Sequence, residues 1–365
     1  MSLEIETVRG DPFEMGRQMG GIFRHVIRAD VHQWAARHDF QGEDEYLDEC
    51  LAPRRLANAS VAPWIEEELR GLAEGSGVPL AWLHRLNLRV WYVPRKSQAA
   101  ETAGAASSAG CCAPQIASAC TAIGMLSPQE GVVIGGNLDD SRMPYVLVRR
   151  IPKDGLAHVT IARAAGIWNQ NGLNEAGLFM AANSLGRFAD FKDPDTRPVI
   201  PGDTVNRLIL QTCADVPQAL RLIQESRTNH SYVLGDAHGN LAAVQVMGSL
   251  YEVQHAAQHA HMVFCTNHPC MPGLVEPLTA QHCAMEIAEK SRVRFEVLQR
   301  ARKAEPRSSE ALFALLQSHE GYPNSICNNL SVTSMLACPQ REKHLCWVAD
   351  AHPCRNAYVK VPVLN

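Results

Sequence analysis

The stretch CTAIGMLSPQEGVVIGGNLDD, residues 120–140, contains the pattern from which the fold can be inferred. Two apolar runs, CTAIGML and GVVIGGN, flank the polar turn SPQE, and this arrangement predicts the two strands of a β-hairpin. Apolar runs at 145–151 and 158–164 follow at hairpin spacing. The second half of the chain is therefore predicted to begin as a series of strands.

Strands and helices both continue beyond this point, with no internal repeat. Further strands are predicted at 177–182, 232–234, 241–247, 261–266, 331–336 and 345–349. Helices are predicted at 203–225, 276–303 and 309–318. Strands in hairpin-connected runs, with helices collected in blocks, favour an α+β fold in which antiparallel sheets pack against helices.

The residues before the hairpin have a different character. Helices are predicted at 12–40, 63–75 and 79–88, the first because apolar residues recur at helical spacing after a cap at Asp11. Residues 97–119, SQAAETAGAASSAGCCAPQIASA, are almost entirely small or polar, so we predict a flexible loop. A loop of this length within a compact chain is uncommon and is usually functional or disordered.

The composition is that of a soluble globular protein. The 365 residues are 46% hydrophobic and 20% charged, with a formal net charge of −4, a balance that excludes disordered, collagen-like and coiled-coil chains. No basic stripe is present, so we expect neither nucleic acid nor a membrane as partner, and a small molecule or a peptide fits better. Without a secretory signal or an apolar spanning run, the expected location is cytoplasmic.

The twelve cysteines are the unusual part of this composition. They are spread along the chain without a CxxC pair, which argues against a zinc site, and the cytosol disfavours disulfides. The ordinary interpretation of each is a small buried hydrophobic residue. We therefore predict no metal and ask whether one cysteine differs from the rest.

Cys120 differs because it lies where the small-residue loop meets the first strand. A chain cut between Ala119 and Cys120 would begin with a residue that carries both a thiol and an α-amine. Because an α-amine has a pKa of about 7.7 to 8.0, it can accept the thiol proton near neutral pH. The same thiol could make the cut, by attacking the Ala119 carbonyl in an N-to-S acyl shift that hydrolysis completes.

Several polar side chains could assist this thiol. Asn137 and Asp139 end the second strand of the hairpin and could lie beside Cys120 across the pair. Asn267, in the turn CTNHP, is a candidate oxyanion donor, and Asn174 and Asn183 are further amides. The alternative for each asparagine is a turn former that binds its own backbone.

Longer blocks of sequence resemble the acyl-coenzyme A:6-aminopenicillanate acyltransferase family and, more loosely, the choloylglycine hydrolases, both N-terminal-nucleophile (Ntn) hydrolases. The similar blocks are RGDPFEMGRQMG (9–20), WIEEELRGLAEGSGV (64–78), LHRLN (83–87), the 120–140 hairpin, NGLNEAGLFMAANSL (171–185), CTNHP (265–269) and SRVRFEVL (291–298). They occur in order over most of the chain, which makes the resemblance more specific than any single motif.

The resemblance implies a four-layer αββα sandwich, with two antiparallel sheets between helix layers. It implies the nucleophile at Cys120, cleavage between Ala119 and Cys120, and the acidic partner at Asp139. The oxyanion asparagine would be Asn267, with Asn183 as a further amide near the substrate carbonyl. A helix arginine would be Arg294, or Arg292 if the register slips.

The chain also departs from these families. Ala119 stands where the family usually has glycine, so we expect slow or conditional cleavage. Gly136 stands where choloylglycine hydrolases have arginine, which argues against bile-salt substrates, and Leu138 replaces a tryptophan of the acyltransferase branch. Cys111 and Cys112 are rival nucleophiles, discounted because neither begins a strand.

The sequence thus predicts an autoprocessing cysteine amidohydrolase or acyltransferase acting on a linear amide or small peptide. It would consist of a helical fragment, 1–119, and a catalytic fragment, 120–365, folded together as one αββα domain and possibly assembled as a homo-oligomer. No cofactor is expected, although acyl-CoA could be a co-substrate. Asn137, Asn174, His268 and Arg294 are candidate substrate-binding residues.

Two other interpretations stay open at this point. The chain could remain uncut, with a thiol activated by a histidine, for which His268 and His238 are the nearest candidates. It could also be a non-catalytic, thiol-rich binding protein.

Overall fold

The computed structural model describes residues 4–37, 45–87, 120–140, 144–185, 191–283, 289–304 and 307–362. These residues form two compact units. One contains residues 4–11 with most of the described chain from 120 onward, and the other contains the N-terminal helices together with residues 164–167. The expected boundary at Cys120 stays a prediction, but the N-terminal strand belongs with the sheets rather than with the helices that follow it.

The larger sheet has eight strands in the described residues. They are β1 (Glu6–Gly10), β4 (Tyr145–Pro152), β5 (His158–Arg163), β6 (Asn169–Asn174), β7 (Phe179–Ser184), β8 (Asn229–Gly235), β9 (Leu241–Met247) and β10 (Leu250–His255), in that spatial order. All neighbours are antiparallel except β1 and β4, which pair in parallel.

The second sheet has six described strands, all antiparallel. In spatial order they are β11 (Met262–Cys265), β2 (Thr121–Ser127), β3 (Gly131–Asp139), β12 (Ser331–Cys338), β13 (Leu345–Asp350) and β14 (Val359–Lys360). The predicted hairpin is its centre, since β2 and β3 pair from Thr121 opposite Asn137 to Ser127 opposite Gly131.

Side chains alternate in direction along the two hairpin strands, so the two faces of this sheet pack against different neighbours. Ala122 and Ile134 point into a buried cluster that they share with Val159, Phe179 and Ala243 of the larger sheet. Because successive side chains of a strand point to opposite faces, the residues between them face the other way. The two sheets therefore enclose one core, and the smaller sheet has a second apolar face to bury.

Helices cover that second face and the outer face of the larger sheet. Ile123, Met125 and Val133 pack in one cluster with residues of α9 (Glu289–Lys303) and α10 (Ser309–Leu316). On the larger sheet, α6 (Gly202–Thr212) and α7 (Val216–Ser226) are joined to the strands, for example by Asn206, whose side-chain amide donates to the Asn169 carbonyl at 2.9 Å. A further helix, α8 (Pro272–Ala280), lies against β10 through a hydrogen bond from the Gly273 N–H to Glu252. The predicted αββα sandwich is confirmed.

The helical unit contains α1 (Pro12–Ile22), α2 (Arg24–Arg37), α3 (Glu45–Val61), α4 (Trp64–Ser76) and α5 (Leu80–Asn87). Glycines let α1 and α4 approach closely: a Cβ atom at Gly16, Gly20, Gly71 or Gly75 would collide with backbone of the facing helix. Helix packing thus explains Gly16 and Gly20 of the motif RGDPFEMGRQMG. None of the described helices is long and apolar enough to cross a membrane.

Several predicted boundaries were wrong. The helix predicted over 12–40 is interrupted after Ile22, and α3 was not predicted. The helix predicted over 203–225 is two helices, because Asp215 caps α7 by accepting a hydrogen bond from the Gln218 N–H at 2.8 Å. The helix predicted over 276–303 was also wrong, since α8 ends at Ala280.

Four strands, β1, β6, β10 and β14, were also missed. The most instructive is β6, whose sequence NQNGLN is polar and yet buried throughout. Three of its four amide side chains donate to backbone carbonyls, for example Asn171, which donates to the Gly136 carbonyl of the other sheet at 3.1 Å. A strand whose polar groups are bonded in this way shows no apolar alternation.

Candidate active site

The Cys120 side chain is buried between the two sheets. It immediately precedes β2, is 3% exposed, and packs in the shared core with Ala122 and Leu138. Its Sγ atom lies 3.9 Å from the backbone carbonyl oxygen of Asp139, within reach of a weak S–H···O contact. The hairpin register thus brings Cys120 and Asp139 together, as predicted from the sequence.

Burial and the neighbouring Asp139 carboxyl raise the pKa of the Cys120 thiol to about 12. Arg294 and a backbone hydrogen bond oppose this rise without cancelling it. The thiol is therefore protonated at neutral pH in the chain as described here. Any nucleophilic role requires a base that removes this proton.

Asp139 is fully buried and holds two hydrogen bonds at its carboxyl group. The Ser331 hydroxyl donates to Oδ1 at 2.6 Å, and the Asn328 amide donates to Oδ2 at 2.7 Å. Burial raises the pKa of Asp139 to about 6, while Arg294 and the two donors oppose the rise. The group is therefore predominantly a carboxylate at neutral pH, held in one orientation.

Arg294, on α9, connects the start of β2 to the turn after β11. One guanidinium nitrogen donates to the Cys120 carbonyl and, at 2.8 Å, to the Thr121 hydroxyl. The other terminal nitrogen donates to Asn267 Oδ1 at 2.9 Å, and Nε donates to the Lys290 carbonyl at 2.9 Å. A planar fork with fixed donors is needed for such an arrangement, which a lysine cannot reproduce.

Because Arg294 binds its Oδ1, Asn267 has a fixed amide orientation. Its Nδ2 atom donates to the Ser184 carbonyl at 3.0 Å, and its backbone N–H donates to Ser291 Oγ at 2.8 Å. Nearby, Asn183 Nδ2 donates to the Cys265 carbonyl at 2.8 Å. These two reciprocal contacts join the end of β7 to the end of β11, so both predicted amides lie in one connected network with Arg294.

His268 lies in the same turn, where it contacts Ser291 and Phe295. Its Nδ1 atom is 2.7 Å from Ser291 Oγ, and its ring packs edge-on against Phe295 with centroids 5.2 Å apart. Burial, with Arg294 nearby, lowers the pKa of His268 to about 4. His238 is exposed in the turn after β8, where its backbone N–H donates to Asp236.

Two of the predicted amides have other partners. Asn137 Nδ2 donates to the carbonyls of Leu316 and Ile326, at 2.8 and 3.0 Å. Asn174 Nδ2 donates to the carbonyls of Leu210 and Cys213, at 3.1 and 2.7 Å. Both amides therefore hold backbone that belongs to the helix layers, and these hydrogen bonds do not involve Cys120, Asn267 or Arg294.

Gly136 and Leu138, two residues that depart from the resembled families, are both buried. A Cβ atom at Gly136 would lie 2.7 Å from the Thr121 carbonyl oxygen, so no arginine fits there without a backbone shift. Leu138 packs beside Cys120 in the core. Ala119, the loop 97–119, Cys111 and Cys112 lie outside the described residues.

Three residues of the site were not predicted from the sequence: Asn328 and Ser331, the two donors to Asp139, and Ser291, which accepts from the Asn267 N–H. Asn328 and Ser331 are about 190 positions from Asp139, and only the pairing of β12 with β3 brings them to it. The polar run before β12 was the available signal, but the register of two distant strands cannot be read from one sequence.

Comparison with known proteins identifies one family. The model of the family described as acyl-coenzyme A:6-aminopenicillanic acid acyl-transferase matches residues 136–337. A search of curated protein sequences finds no match.

Solved structures give weaker similarities. Penicillin V acylase from Agrobacterium tumefaciens is 15% identical, with a TM-score of 0.41 over 64% of this chain and 83% of its own. The Caenorhabditis elegans ortholog of N-acylethanolamine-hydrolyzing acid amidase is 15% identical, with a TM-score of 0.41 over 61% and 98%. A variant of conjugated bile acid hydrolase from Clostridium perfringens is 12% identical, with a TM-score of 0.43 over 67% and 97%.

Because these TM-scores are low, the assignment rests on the family match, which spans more than half of the sequence. The chain belongs to the acyl-coenzyme A:6-aminopenicillanic acid acyl-transferase family, and so to the enzymes that cleave or transfer amide-bound acyl groups.

Proposed function

We propose that this protein is an autoprocessing Ntn hydrolase in which Cys120 attacks the carbonyl carbon of a linear amide or small peptide. The observation that carries the proposal is the contact set of Arg294, which binds the Cys120 carbonyl and Asn267 Oδ1 at the same time. This arrangement fixes a thiol-bearing residue at a strand end relative to an oriented amide.

Autoprocessing would come first. Cys120 Sγ would attack the Ala119 carbonyl carbon, and the Ala119–Cys120 amide bond would break as a thioester forms. The thiol proton would pass to the departing amide nitrogen, which becomes the α-amine, and water would then hydrolyse the thioester. The products are a carboxylate on residue 119 and a free α-amine on Cys120. The raised pKa of the buried thiol supports a need for this amine in substrate cleavage, because the described contacts of Cys120 supply no other base.

Substrate cleavage would use the new amine as base. The α-amine would take the Sγ proton, the thiolate would attack the substrate carbonyl, and negative charge would develop on the substrate oxygen. The amide groups of Asn267 and Asn183 are the proposed donors to this oxyanion. The α-ammonium would then give its proton to the leaving amine, and the acyl thioester would pass to water or to an acceptor amine.

Asp139 would hold the α-ammonium. Its carboxyl is buried beside Cys120 and is fixed by Ser331 and Asn328, so it is available as an acceptor whose direction does not change. A carboxylate near the amine favours the ammonium form and keeps the amine oriented toward the thiol. No metal or organic cofactor is required by these steps, and acyl-CoA is the proposed donor if transfer prevails over hydrolysis.

The experiment compares Cys120→Ala with Cys265→Ala, a matched change at another buried cysteine of the same sheet. Each variant is incubated with a panel of N-acyl amides, with release of the amine measured and the acid-quenched protein analysed by mass for an acyl adduct. We expect turnover and an acyl adduct on the Cys120 fragment in the control, and neither in Cys120→Ala. Turnover by Cys120→Ala at the control rate would refute the proposed nucleophile.

The two other interpretations receive less support. The imidazole of His268 is engaged by Ser291 and that of His238 is exposed in a turn, so neither is placed to accept the Cys120 proton. A thiol-rich binding protein gives no reason for a buried arginine to join Cys120 to Asn267.

A further inference from the structure

Three donor side chains outside the active site converge at one place in the fold. One nitrogen of His319 and the sulfur atoms of Cys327 and Cys354 all lie within 4.8 Å of one another. Cys327 is buried, while His319 and Cys354 are exposed. The three residues span 35 positions without a CxxC pair, which is why the spacing of cysteines alone did not predict a metal site.

Backbone hydrogen bonds hold the two segments that carry these donors. The Cys327 N–H donates to the Ser318 carbonyl at 3.0 Å, closing the loop that follows α10. The Gln317 side-chain amide donates to the Pro353 carbonyl at 3.1 Å, which ties this loop to the segment that contains Cys354. These hydrogen bonds therefore hold the three donors close together without using the donor side chains themselves.

The donor set selects the class of ligand. Two sulfurs and one imidazole suit zinc and similar metals, whereas calcium and magnesium prefer oxygen ligands. With Zn–S near 2.3 Å and Zn–N near 2.0 Å, donors in a tetrahedral site lie about 3.5 to 3.8 Å apart. Inward shifts of less than about 1 Å would close the cluster to that size, and the exposed His319 and Cys354 side chains are free of core packing that would prevent such shifts.

The two sulfurs are also direct neighbours. The Sγ atoms of Cys327 and Cys354 lie within 4.8 Å of each other, and burial raises the pKa of Cys327 to about 12. A disulfide could use this proximity as well. It would leave the imidazole of His319 unused, however, so the three-donor cluster favours a metal ion.

We propose that His319, Cys327 and Cys354 bind one zinc-like metal ion, with a solvent molecule in the fourth position of a tetrahedral site. The site does not depend on the role proposed for Cys120. It adjoins the active site all the same, because Cys327 precedes Asn328, whose amide donates to Asp139 at 2.7 Å. A bound ion would therefore fix the backbone next to a residue that positions the Asp139 carboxyl.

The test titrates the reduced full-length protein with Co²⁺ and then with Zn²⁺. A Cys120→Ala background prevents the active-site thiol from contributing. We expect one equivalent of Co²⁺ with the visible bands of tetrahedral coordination and thiolate-to-cobalt charge transfer, displaced by one equivalent of Zn²⁺. His319→Gln and Cys354→Ser should each weaken binding at least about tenfold.

Two control variants assign the site. His352→Gln changes a histidine two residues from Cys354 that lies outside the cluster, and a Cys111→Ser/Cys112→Ser double variant removes an adjacent cysteine pair in the sequence. Both should bind Co²⁺ like the parent. The proposal is overturned by absent or octahedral Co²⁺ binding, by full binding in His319→Gln and Cys354→Ser, by loss in either control, or by a Cys327–Cys354 disulfide in the isolated protein.

Discussion

Removal of the Ser331 hydroxyl should destabilise the protein by an amount that grows with pH. This hydroxyl donates to Asp139 Oδ1 at 2.6 Å, in a site where both side chains are buried. It also accepts a hydrogen bond from the Asn328 N–H at 3.1 Å. Ser331→Ala therefore deprives a buried carboxyl of one of its two donors.

The sign of the pH dependence follows from the raised pKa of Asp139. Because that pKa is about 6 in the folded protein against an ordinary value of 3.8, the folded state binds more protons between these values. The contribution of Asp139 to stability is thus present at low pH and is lost as pH rises through about 6. Ser331→Ala should raise the pKa further and extend the loss to higher pH.

The magnitude can be estimated from the state of the carboxyl. At pH 4 the variant loses a hydrogen bond to a neutral group, about 1 kcal/mol, and at pH 8 it loses one to a carboxylate, about 1.5 to 3 kcal/mol. The loss of unfolding free energy relative to the parent should therefore grow by about 0.5 to 2 kcal/mol between these pH values, which corresponds to a rise in the Asp139 pKa of about one unit.

The assay is urea denaturation at a series of pH values, in a Cys120→Ala background so that every variant stays one chain. Thr333→Ala is the matched control, since Thr333 lies on the same strand and donates to the Ala349 carbonyl at 3.0 Å instead. The loss of unfolding free energy in Thr333→Ala, relative to the parent, should not vary with pH. If the loss of unfolding free energy in Ser331→Ala were also independent of pH, the account would be refuted, since it requires that Asp139 ionises near pH 6 and that its donors stabilise the ionised form.

Three further predictions concern the site. Arg294→Lys should slow chain cleavage by at least about 10²-fold, because a lysine cannot keep the contacts of the guanidinium group. Arg292→Lys, on the exposed face of the same helix, should not slow it. A time course on a denaturing gel measures both rates, and equal rates would contradict the role of Arg294. Asn267→Ala should reduce the rate of amine release by about 10² to 10³-fold, the usual effect of losing an oxyanion donor, and an unchanged rate would remove it from that role. Gly136→Ala should lower the free energy of unfolding by about 1 to 3 kcal/mol, because the new Cβ atom would collide with a carbonyl of the neighbouring strand. Gly21→Ala, where space is open around the Cβ position, should not lower it. Equal free energies of unfolding for the two variants in urea denaturation would refute the steric argument.

Local structure was predicted best where apolar residues mark the buried part of an element and polar residues mark its ends. The β2–β3 hairpin has apolar runs on both sides of a polar turn, and its strands form with nearly the predicted bounds. In contrast, β6 is polar in sequence, and three of its four amide side chains bond to backbone of neighbouring elements. The helices α6 and α7 were predicted as one because the cap at Asp215 was not recognised.

The site was predictable to the extent that its residues lie in motifs. Cys120 and Asp139 share the hairpin, and the turn at Asn267 follows a recognisable strand. Asn328, Ser331 and Ser291 reach these residues only through the pairing of distant strands and the placement of α9. Such contacts depend on three-dimensional register, which a pattern along one chain does not specify.

The central claim is that Cys120 frees its own α-amine and then acts as the nucleophile. The intact mass of the purified protein tests it most directly. The account predicts two chains, residues 1–119 and 120–365, in the parent and one uncut chain in Cys120→Ala. A parent that turns over amide substrates as a single uncut chain of 365 residues, or a Cys120→Ala variant that splits at the same bond, would contradict it.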